Sequence, residues 1–392
     1  MERVIAIQGV DLVNKGAELM LLATMQRMQQ AGYILGTGLR CGSFRQRNEM
    51  GVHHLPWFFY GKLPANLTIF LQNALDGCFR LLPEKRRKAD HILLEKEISV
   101  VLDASGFGYS DQFGEIGLRK TKIAAHSVRR WKQAGKKIIF LPQAFGPFRH
   151  PHIKRDMAQI LRYADLVFAR DETSLAYLDE LVHGGTGKIK LAPDFTCLVQ
   201  GRLPEYFDPD RKRACLIPNT RMIDRTESGT GEKYKVFLSN CLSYLIEEKC
   251  DPFILIHEDH DLALAVELQA RFPGQVDIVQ EPDPLFVKGI LGTCSFVISS
   301  RYHGLVSALS QNVPSLATGW SHKYKMLLAD YGCPECLLEV GGTKQEIIQK
   351  IDMIRYGQSR EDLSNRLQMA ASEQRRLSLA MWQEVFEVLG GY

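Results

Sequence analysis

Short apolar runs alternate with amphipathic segments along the whole chain. Residues 4–8 form an apolar run typical of a buried strand, and residues 16–31 follow with apolar side chains at helical spacing. Strands that alternate with helices in this way predict a parallel sheet covered by helices. Further strand-like runs of this first region lie at 98–103, 137–141, 166–169 and 189–192.

The pattern breaks at residues 201–212, where prolines and charged residues cluster as in a linker, and then it restarts. We therefore predict an α/β protein of two doubly wound, Rossmann-like domains that face a cleft. The predicted domains are 1–205 and 206–360, and a C-terminal helix at 361–392 is expected to pack back on the first domain. Strand-like runs of the second region lie at 215–218, 253–257, 276–279, 296–298 and 315–317.

The segment FVISSRYHGLVSAL, residues 296–309, places basic side chains where a predicted strand ends and a helix begins. Arg301 and His303 flank Tyr302 at this point. A helix N-terminus adds free N–H groups and the positive end of a dipole, so these groups are suited to binding an anion. In open α/β sheets ligands bind at this edge. The alternative is an arginine and a histidine that only cap and solvate a loop.

Other polar segments also follow predicted strands. In the glycine-rich stretch 103–111, Gly106 would let backbone amides approach a ligand, although a flexible loop explains the stretch equally well. Asp171 or Thr173 can cap the next helix, whereas capping does not explain Arg170, which is a candidate cation. The candidate acceptor-binding residues at these strand ends are Asn14, Asp103, Gly106, Gln143 and Asp194.

Taken in order, these segments resemble the polysaccharide pyruvyl transferase family. The matching motifs are N-x-GA-E from residue 14, LPQ-x-x-GPF from 141, RDE-x-S from 170, PD from 193 and R-x-HG from 301. The resemblance covers most of the chain and implies a glycosyltransferase-B-like fold. It also implies transfer of pyruvate from phosphoenolpyruvate, as a ketal, to a sugar of a cell-surface polysaccharide or its lipid-linked oligosaccharide precursor. It implies donor binding by Arg170, Arg301, Tyr302, His303 and Lys323, with Arg301 and His303 catalytic.

Phosphoenolpyruvate carries a carboxylate and a phosphate, so a site for it needs several fixed cations. Arginine suits the carboxylate and lysine the phosphate. In the implied reaction C3 gains a proton, an acceptor hydroxyl attacks C2, phosphate departs and a second hydroxyl closes the ketal. His303 is either the general acid or a cation that stabilises the departing phosphate. Asp103, Asp171 and Asp194 are candidate acceptor-binding groups or bases.

Two rival functions stay open. A glycosyltransferase of the same shape would use Arg170, Arg301 and Lys323 for a nucleotide diphosphate and residues 257–259 for the ribose. A non-catalytic family member would bind a glycan or act as a scaffold. Residues 103–108 also depart from the glycine run of many relatives, which changes the expected acceptor contacts.

Composition narrows the class of protein further. The net charge of +4 is small for 392 residues, so we expect no nucleic-acid partner. No apolar run approaches the ~20 residues that cross a bilayer, and the N-terminus enters a strand pattern rather than a signal peptide. We therefore expect a cytoplasmic protein, with the inner face of the membrane as the alternative location.

Nine cysteines without regular spacing predict free thiols. Cys333 and Cys336 have CxxC spacing, but no second ligand pair is near, so we expect no metal. The implied chemistry needs no cofactor beyond the donor substrate. The aromatic and basic segment 55–88 is interpreted either as a peripheral membrane contact or as a buried helical insertion, and the buried insertion is preferred because exposed basic clusters are commonplace.

Overall fold

Two parallel sheets organise the computed structural model, which describes residues 3–57, 63–182, 187–224, 229–319 and 321–390. The chain divides into two compact units. The first unit consists of Met1–Leu12, Met20–Phe195 and Leu377–Tyr392. The second unit consists of Val13–Leu19 and Thr196–Arg376.

The first unit contains an eight-stranded sheet within the described residues, and its strand pairs are parallel. Its order is β3-β2-β1-β4-β6-β7-β8, with β5 beside β6. Central strands are buried on both faces because helices cover the sheet, which explains their continuous apolar runs. The strands are β1 Val4–Gln8, β2 Ile34–Gly38, β3 His53–Leu55, β4 Val100–Asp103, β5 Phe107–Tyr109, β6 Lys137–Phe145, β7 Leu166–Ala169 and β8 Ile189–Leu191.

The second unit contains a five-stranded parallel sheet of order β11-β10-β9-β12-β13 in the described part of the chain. Its core packs the strands against helices through Leu216, Ile254, Leu305 and Leu328, all buried. The strands are β9 Ala214–Ile217, β10 Phe253–Ile256, β11 Asp277–Gln280, β12 Phe296–Ser299 and β13 Ser315–Ala317.

Helices connect the strands of both sheets. They are α1 Lys15–Gln30, α2 Phe44–Glu49, α3 Ala65–Arg80, α4 Glu84–Ala89, α5 Gly114–Gln133, α6 Pro151–Tyr163, α7 Glu172–Val182, α8 Arg221–Asp224, α9 Thr230–Glu247, α10 Leu262–Gln269, α11 Pro284–Thr293, α12 Tyr302–Leu309, α13 His322–Asp330, α14 Lys344–Arg355 and α15 Gly357–Val388. Short 3₁₀ turns lie at Glu95–Glu97, Asp111–Phe113, Phe195–Leu198, Asp259–Asp261 and Pro334–Cys336.

The predicted fold class is confirmed, since both sheets are parallel and carry crossover helices. The predicted domain limits of 1–205, 206–360 and 361–392 stay predictions. The compact units change at Phe195 and Thr196. The C-terminal helix begins at Gly357 rather than 361, and only its part from Leu377 onward belongs to the first unit.

Candidate functional site

Each sheet has a point where the strand order reverses. The reversal lies between β1 and β4 in the first unit and between β9 and β12 in the second. The registers place Gln8 beside Asp103 and Ile217 beside Ser299 at the carboxyl ends of these strands. Ligands of open α/β sheets bind at such reversals, so each unit has one expected ligand-binding edge.

Arg301 lies directly after β12, and two carboxylates bind its guanidinium. Its Nε and Nη2 donate to Asp261 at 2.8 and 2.6 Å, and its Nη1 lies 2.6 Å from Oε1 of Glu258. Burial opposes the charge of Arg301, but the hydrogen bonds to Asp261 and the charges of both carboxylates outweigh it and raise its pKa. The sequence predicted a cation available to an anionic donor, whereas this cation is already neutralised by its own chain.

Neighbouring polar groups fix the two carboxylates in turn. Asp261 Oδ1 accepts hydrogen bonds from the backbone N–H of Thr220 at 2.9 Å and from its hydroxyl at 3.1 Å. The amide of Asn14 donates to Glu258, and its Oδ1 accepts from the N–H of Gly16 at 2.8 Å. Asn14 therefore caps α1 and bonds to Glu258 of the Arg301 cluster, and its predicted role in acceptor binding stays a prediction.

His303 is the second residue of α12, and its ring packs against the first turn of α1. A Cβ on Gly16 would lie 2.6 Å from Cγ of His303, so only glycine leaves room for the imidazole there. The histidine thus lies beside the N-termini of both α12 and α1. Both helix ends are positive, which favours a negatively charged ligand or a developing negative charge next to this ring.

Lys323 lies beside the same strand-to-helix turn. Its ammonium is 5.2 Å from the ring centroid of Tyr302 and 5.5 Å from that of Tyr324. The hydroxyl of Tyr324 donates to the carbonyl of Ser300 at 2.9 Å, which holds the aromatic pair against the end of β12. Four residues of the predicted donor-binding set, Arg301, Tyr302, His303 and Lys323, therefore lie in the second unit, whereas the fifth, Arg170, belongs to the first. Donor binding by these residues stays a prediction.

The sequence did not single out His257 as a catalytic or positioning residue. It follows β10 and is buried, and its Nδ1 has no hydrogen-bond partner among the described residues. Burial lowers its pKa well below the usual value, and the charges of Arg301, His303 and Lys15 lower it further. His257 is therefore a neutral imidazole at pH 7. Its position directly before Glu258 was visible in the sequence, but its proximity to the R-x-HG segment was not.

In the first unit Asp103 is held by four donors. The amide of Gln8 and the hydroxyl of Tyr109 donate to its Oδ2 at 2.9 and 2.7 Å. The amide of Gln143 and the backbone N–H of Ser105 donate to its Oδ1, each at 3.0 Å. Asp103 is therefore a buried, fully bonded carboxylate. The predicted pair of Asp103 and Gln143 does come together, and Oε1 of Gln143 is buried without a partner in the described ranges.

Lys120 of α5 is a residue that the sequence did not identify. Its ammonium lies 5.1 Å from the ring centroid of Tyr109, and a Cβ on Gly108 would lie 2.9 Å from its Cε. Burial lowers the pKa of Lys120, while Asp103 and Asp11 oppose that shift. The glycine-rich stretch therefore makes room for a lysine side chain, and this lysine has no salt bridge in the described part of the chain.

Arg170 and Asp194 form a buried ion pair, and the donor-binding role of Arg170 and the acceptor-binding role of Asp194 stay predictions. Nη1 of Arg170 lies 3.1 Å from Oδ2 of Asp194, and the backbone N–H of Arg170 donates to the carbonyl of Gln143 at 3.0 Å. Asp171 caps α7 through the N–H of Ser174 at 2.7 Å, as its capping interpretation required.

Gly106 has φ of 66° and its carbonyl accepts from the N–H of Ala144 at 2.8 Å. It therefore anchors the loop after β4 to β6. The role of this loop in acceptor binding stays a prediction.

The described residues contain no group of three His, Cys, Asp or Glu side chains arranged to hold a metal ion. All nine cysteines are free thiols, as predicted. Among the helices that can be described, none is long and apolar enough to cross a membrane.

A family model described as polysaccharide pyruvyl transferase matches residues 14–322. Solved structures with a similar fold cover nearly the whole chain. Staphylococcus aureus MnaA with UDP is 12% identical, with a TM-score of 0.62 over 100% of this chain and 97% of that one. A glycosyltransferase from Rickettsia africae is 16% identical, with a TM-score of 0.58 over 99% of each chain. A UDP-GlcNAc 2-epimerase from Neisseria meningitidis bound to UDP-GlcNAc is 11% identical, with a TM-score of 0.57 over 98% and 100%. These likenesses confirm the glycosyltransferase-B-like fold.

Proposed function

Because the chain belongs to the polysaccharide pyruvyl transferase family, we propose that it transfers the enolpyruvyl group of phosphoenolpyruvate to a sugar as a pyruvate ketal and releases phosphate. The proposed acceptor is a cell-surface polysaccharide or its lipid-linked oligosaccharide precursor. The observation that supports this most directly is the position of His303 beside two helix N-termini, with Lys323 at the same strand-to-helix turn.

In this proposal the second unit binds the donor. The helix N-termini and Lys323 attract the phosphate, and His303 lies where the anion would be held. The sequence predicted that Arg301 binds the donor directly, but Asp261 and Glu258 hold its guanidinium. We therefore assign Arg301 mainly to positioning the R-x-HG turn, with its remaining N–H groups available to the donor carboxylate.

The reaction places separate demands on these groups. A proton must be added to C3 while the acceptor hydroxyl attacks C2, so a general acid near the donor is required. His303 is the proposed acid, because it is the histidine of the R-x-HG turn and lies beside the helix ends that are proposed to hold the anion. The leaving phosphate is stabilised by the N–H groups of those ends and by Lys323. A second hydroxyl then attacks C2 and closes the ketal. Of the two protons that the hydroxyls lose, one replaces the proton given to C3 and the other leaves with phosphate, so the proposed reaction needs no further cofactor.

The first unit is proposed to bind the acceptor. Asp103 is occupied by four donors, so it shapes the site rather than contacting sugar hydroxyls through a free oxygen. Lys120 is the proposed acceptor contact, since it has no salt bridge within the described residues and its ammonium lies beside the ring of Tyr109. Gln143 is fully buried and is proposed to position Asp103 through its amide. We propose a cytoplasmic reaction, where phosphoenolpyruvate is available, at the inner face of the membrane if the acceptor is lipid-linked.

A glycosyltransferase that uses a nucleotide sugar is the second candidate, because the fold is compatible with both functions. Its ribose was assigned to residues 257–259, and of these Glu258 is bound to Arg301 and Asn14. Asp259 is exposed and offers a second carboxylate, so ligand binding has to separate the two functions.

The direct test is thermal denaturation of the full chain with phosphoenolpyruvate and, separately, with UDP-sugars. We expect an increase in Tm with phosphoenolpyruvate only, followed by phosphate release when a polysaccharide precursor is added. Stabilisation by a UDP-sugar alone would support the glycosyltransferase. Binding of glycan with no phosphate release from any acceptor would support a non-catalytic protein.

A further inference from the structure

Helix α3 turns an apolar stripe toward solvent. Leu67 and Phe70 are 42% and 66% exposed, and Leu81, just after the helix, is 85% exposed. Ala74 and Cys78 are also exposed and continue the stripe at the helical spacing i, i+3, i+7 and i+11 from Leu67. No charged residue occurs between positions 65 and 75. An exposed apolar face of this length indicates a surface that binds a membrane or another protein.

The opposite face of α3 packs against the protein and includes the buried residues Ala65, Thr68 and Asp76. Asp76 is buried; its Oδ1 accepts from the N–H of Glu95 at 2.9 Å and its Oδ2 accepts from Nε of Arg80 at 2.7 Å. Asn73 accepts from Arg130 of α5. These bonds fix the rotation of α3 about its axis, so the apolar stripe cannot turn inward without leaving a buried carboxylate unpaired.

In the described part of segment 55–88, the preferred interpretation of a buried insertion fits Leu55 and Trp57, which are buried, but not the apolar stripe of α3. Leu67, Phe70, Leu81 and Leu82 are all exposed. Residues 58–62 of that segment, including the aromatic residues 58–60, lie outside the described residues.

A basic cluster lies at the C-terminal end of the stripe. Residues 63–90 hold five basic residues (Arg80, Lys85, Arg86, Arg87, Lys88) and three acidic ones (Asp76, Glu84, Asp90), a net charge of +2. Of the four basic residues in α4, Arg87 points inward to Glu97 at 3.0 Å, while the other three are exposed. The surface thus combines an apolar stripe with positive charge at one end.

We infer that this α3–α4 surface docks on an anionic phospholipid bilayer. An amphipathic helix with an uncharged apolar face inserts at the boundary of head groups and acyl chains, and adjacent lysines and arginines bind anionic head groups. The excess of exposed basic over acidic side chains complements such a membrane. The inference depends on this surface alone and is independent of the proposed pyruvyl transfer.

Sedimentation with vesicles tests the inference. The full chain is mixed with vesicles of phosphatidylcholine, or of phosphatidylcholine and phosphatidylglycerol, at low and high salt. We expect binding to the anionic vesicles that decreases with salt. The variant Leu67→Ser/Phe70→Ser should bind at least about tenfold more weakly, because two large apolar side chains no longer enter the bilayer. Lys85→Glu/Arg86→Glu should weaken binding by about tenfold or more, since each basic residue contributes about 1 kcal/mol.

The matched control is Val236→Ser/Val266→Ser, which replaces two apolar side chains of α9 and α10 that are 55% and 50% exposed. It should bind vesicles like the unmodified protein. Absence of vesicle binding, or binding that Leu67→Ser/Phe70→Ser does not weaken, would overturn the inference. A fall in molecular mass in Leu67→Ser/Phe70→Ser by light scattering would overturn it too, because a second copy of the chain would then cover the stripe. Phosphate release with a water-soluble acceptor is measured separately, so failure of the membrane inference and failure of the proposed function are distinguishable.

Discussion

The charged residue at each strand-order reversal is bound by a different kind of partner. In the second unit, Arg301 is held by the carboxylates of Asp261 and Glu258. In the first unit, Asp103 is held by neutral amide and hydroxyl donors, and the cation Lys120 is near but not paired with it. The second reversal also lies beside two helix N-termini. This difference is the basis for proposing that the second reversal binds the donor dianion and the first the polar acceptor.

The largest expected effect comes from removing the proposed acid. His303→Ala should lower kcat by about 10²- to 10⁴-fold, the range typical of general acid–base catalysis. Phosphate release measures this, and circular dichroism checks that the fold is unchanged. Near-normal kcat in this variant would remove His303 from the chemistry. Partial rescue by added imidazole would support proton donation over phosphate stabilisation.

Breaking the charge cluster should mainly affect stability. Arg301→Ala leaves two buried carboxylates without their partner and should lower the free energy of unfolding by about 3–5 kcal/mol. Urea denaturation measures the change. The control Arg45→Ala removes an exposed arginine that pairs with Glu49 and should change stability little. If the two variants behaved alike, the Arg301 cluster would have no special energetic role.

A smaller effect should follow from filling the space beside His303. Gly16→Ala places a methyl group against the imidazole and should lower stability by about 1–3 kcal/mol, with a fall in kcat. Gly77→Ala is the matched helical control, because nothing lies within 4 Å of a Cβ there. Equal activity and stability in the two variants would mean that the contact between α1 and His303 is unimportant.

In the first unit, Lys120→Met keeps the length of the side chain but removes its charge. We expect the acceptor KM to rise by about 10- to 150-fold while the donor KM stays constant, since loss of a charged hydrogen bond costs about 1.5–3 kcal/mol. Lys122→Met, on the exposed part of the same helix, should change neither constant. A rise in the donor KM instead would contradict the assignment of the two reversals.

The last predicted effect concerns the dependence of stability on pH. The pKa of His257 is depressed by burial, so the unfolded chain binds a proton that the folded chain excludes once the pH falls below ~6.5. The contribution of His257 to the free energy of unfolding is therefore complete above that pH. Below it, the free energy of unfolding should decline by up to about 1.4 kcal/mol per pH unit. Burial and Arg47 also lower the pKa of His54, to about 4, which adds a similar decline between 6.5 and 4.

Urea denaturation of histidine variants across this pH range separates the contributions of the two histidines to the decline in stability. His257→Gln should remove one part of the decline, and His54→Gln the other. An unchanged pH profile in His257→Gln would mean that His257 is not a neutral buried group in the folded protein.

Local sequence patterns predicted the alternation of strands and helices and the position of R-x-HG at the end of β12, since periodicity and strand-to-helix turns depend on neighbouring residues. They also placed polar residues at the strand ends. They did not predict which charges pair, because Asp261 lies 40 residues before Arg301 and Glu258 lies 244 residues after Asn14. The sequence did not identify Lys120 either, because local pattern does not distinguish it from the other basic residues of α5.

The sequence by itself determined the fold class and the strand ends at which chemistry is expected, because both depend on the local order of apolar and polar residues. Only the tertiary structure decided that Arg301 is neutralised, that Arg170 pairs with Asp194 and that α3 exposes its apolar stripe. Those outcomes depend on strand order and on the rotation of a helix, which bring distant residues together and are set by the packing of the whole unit.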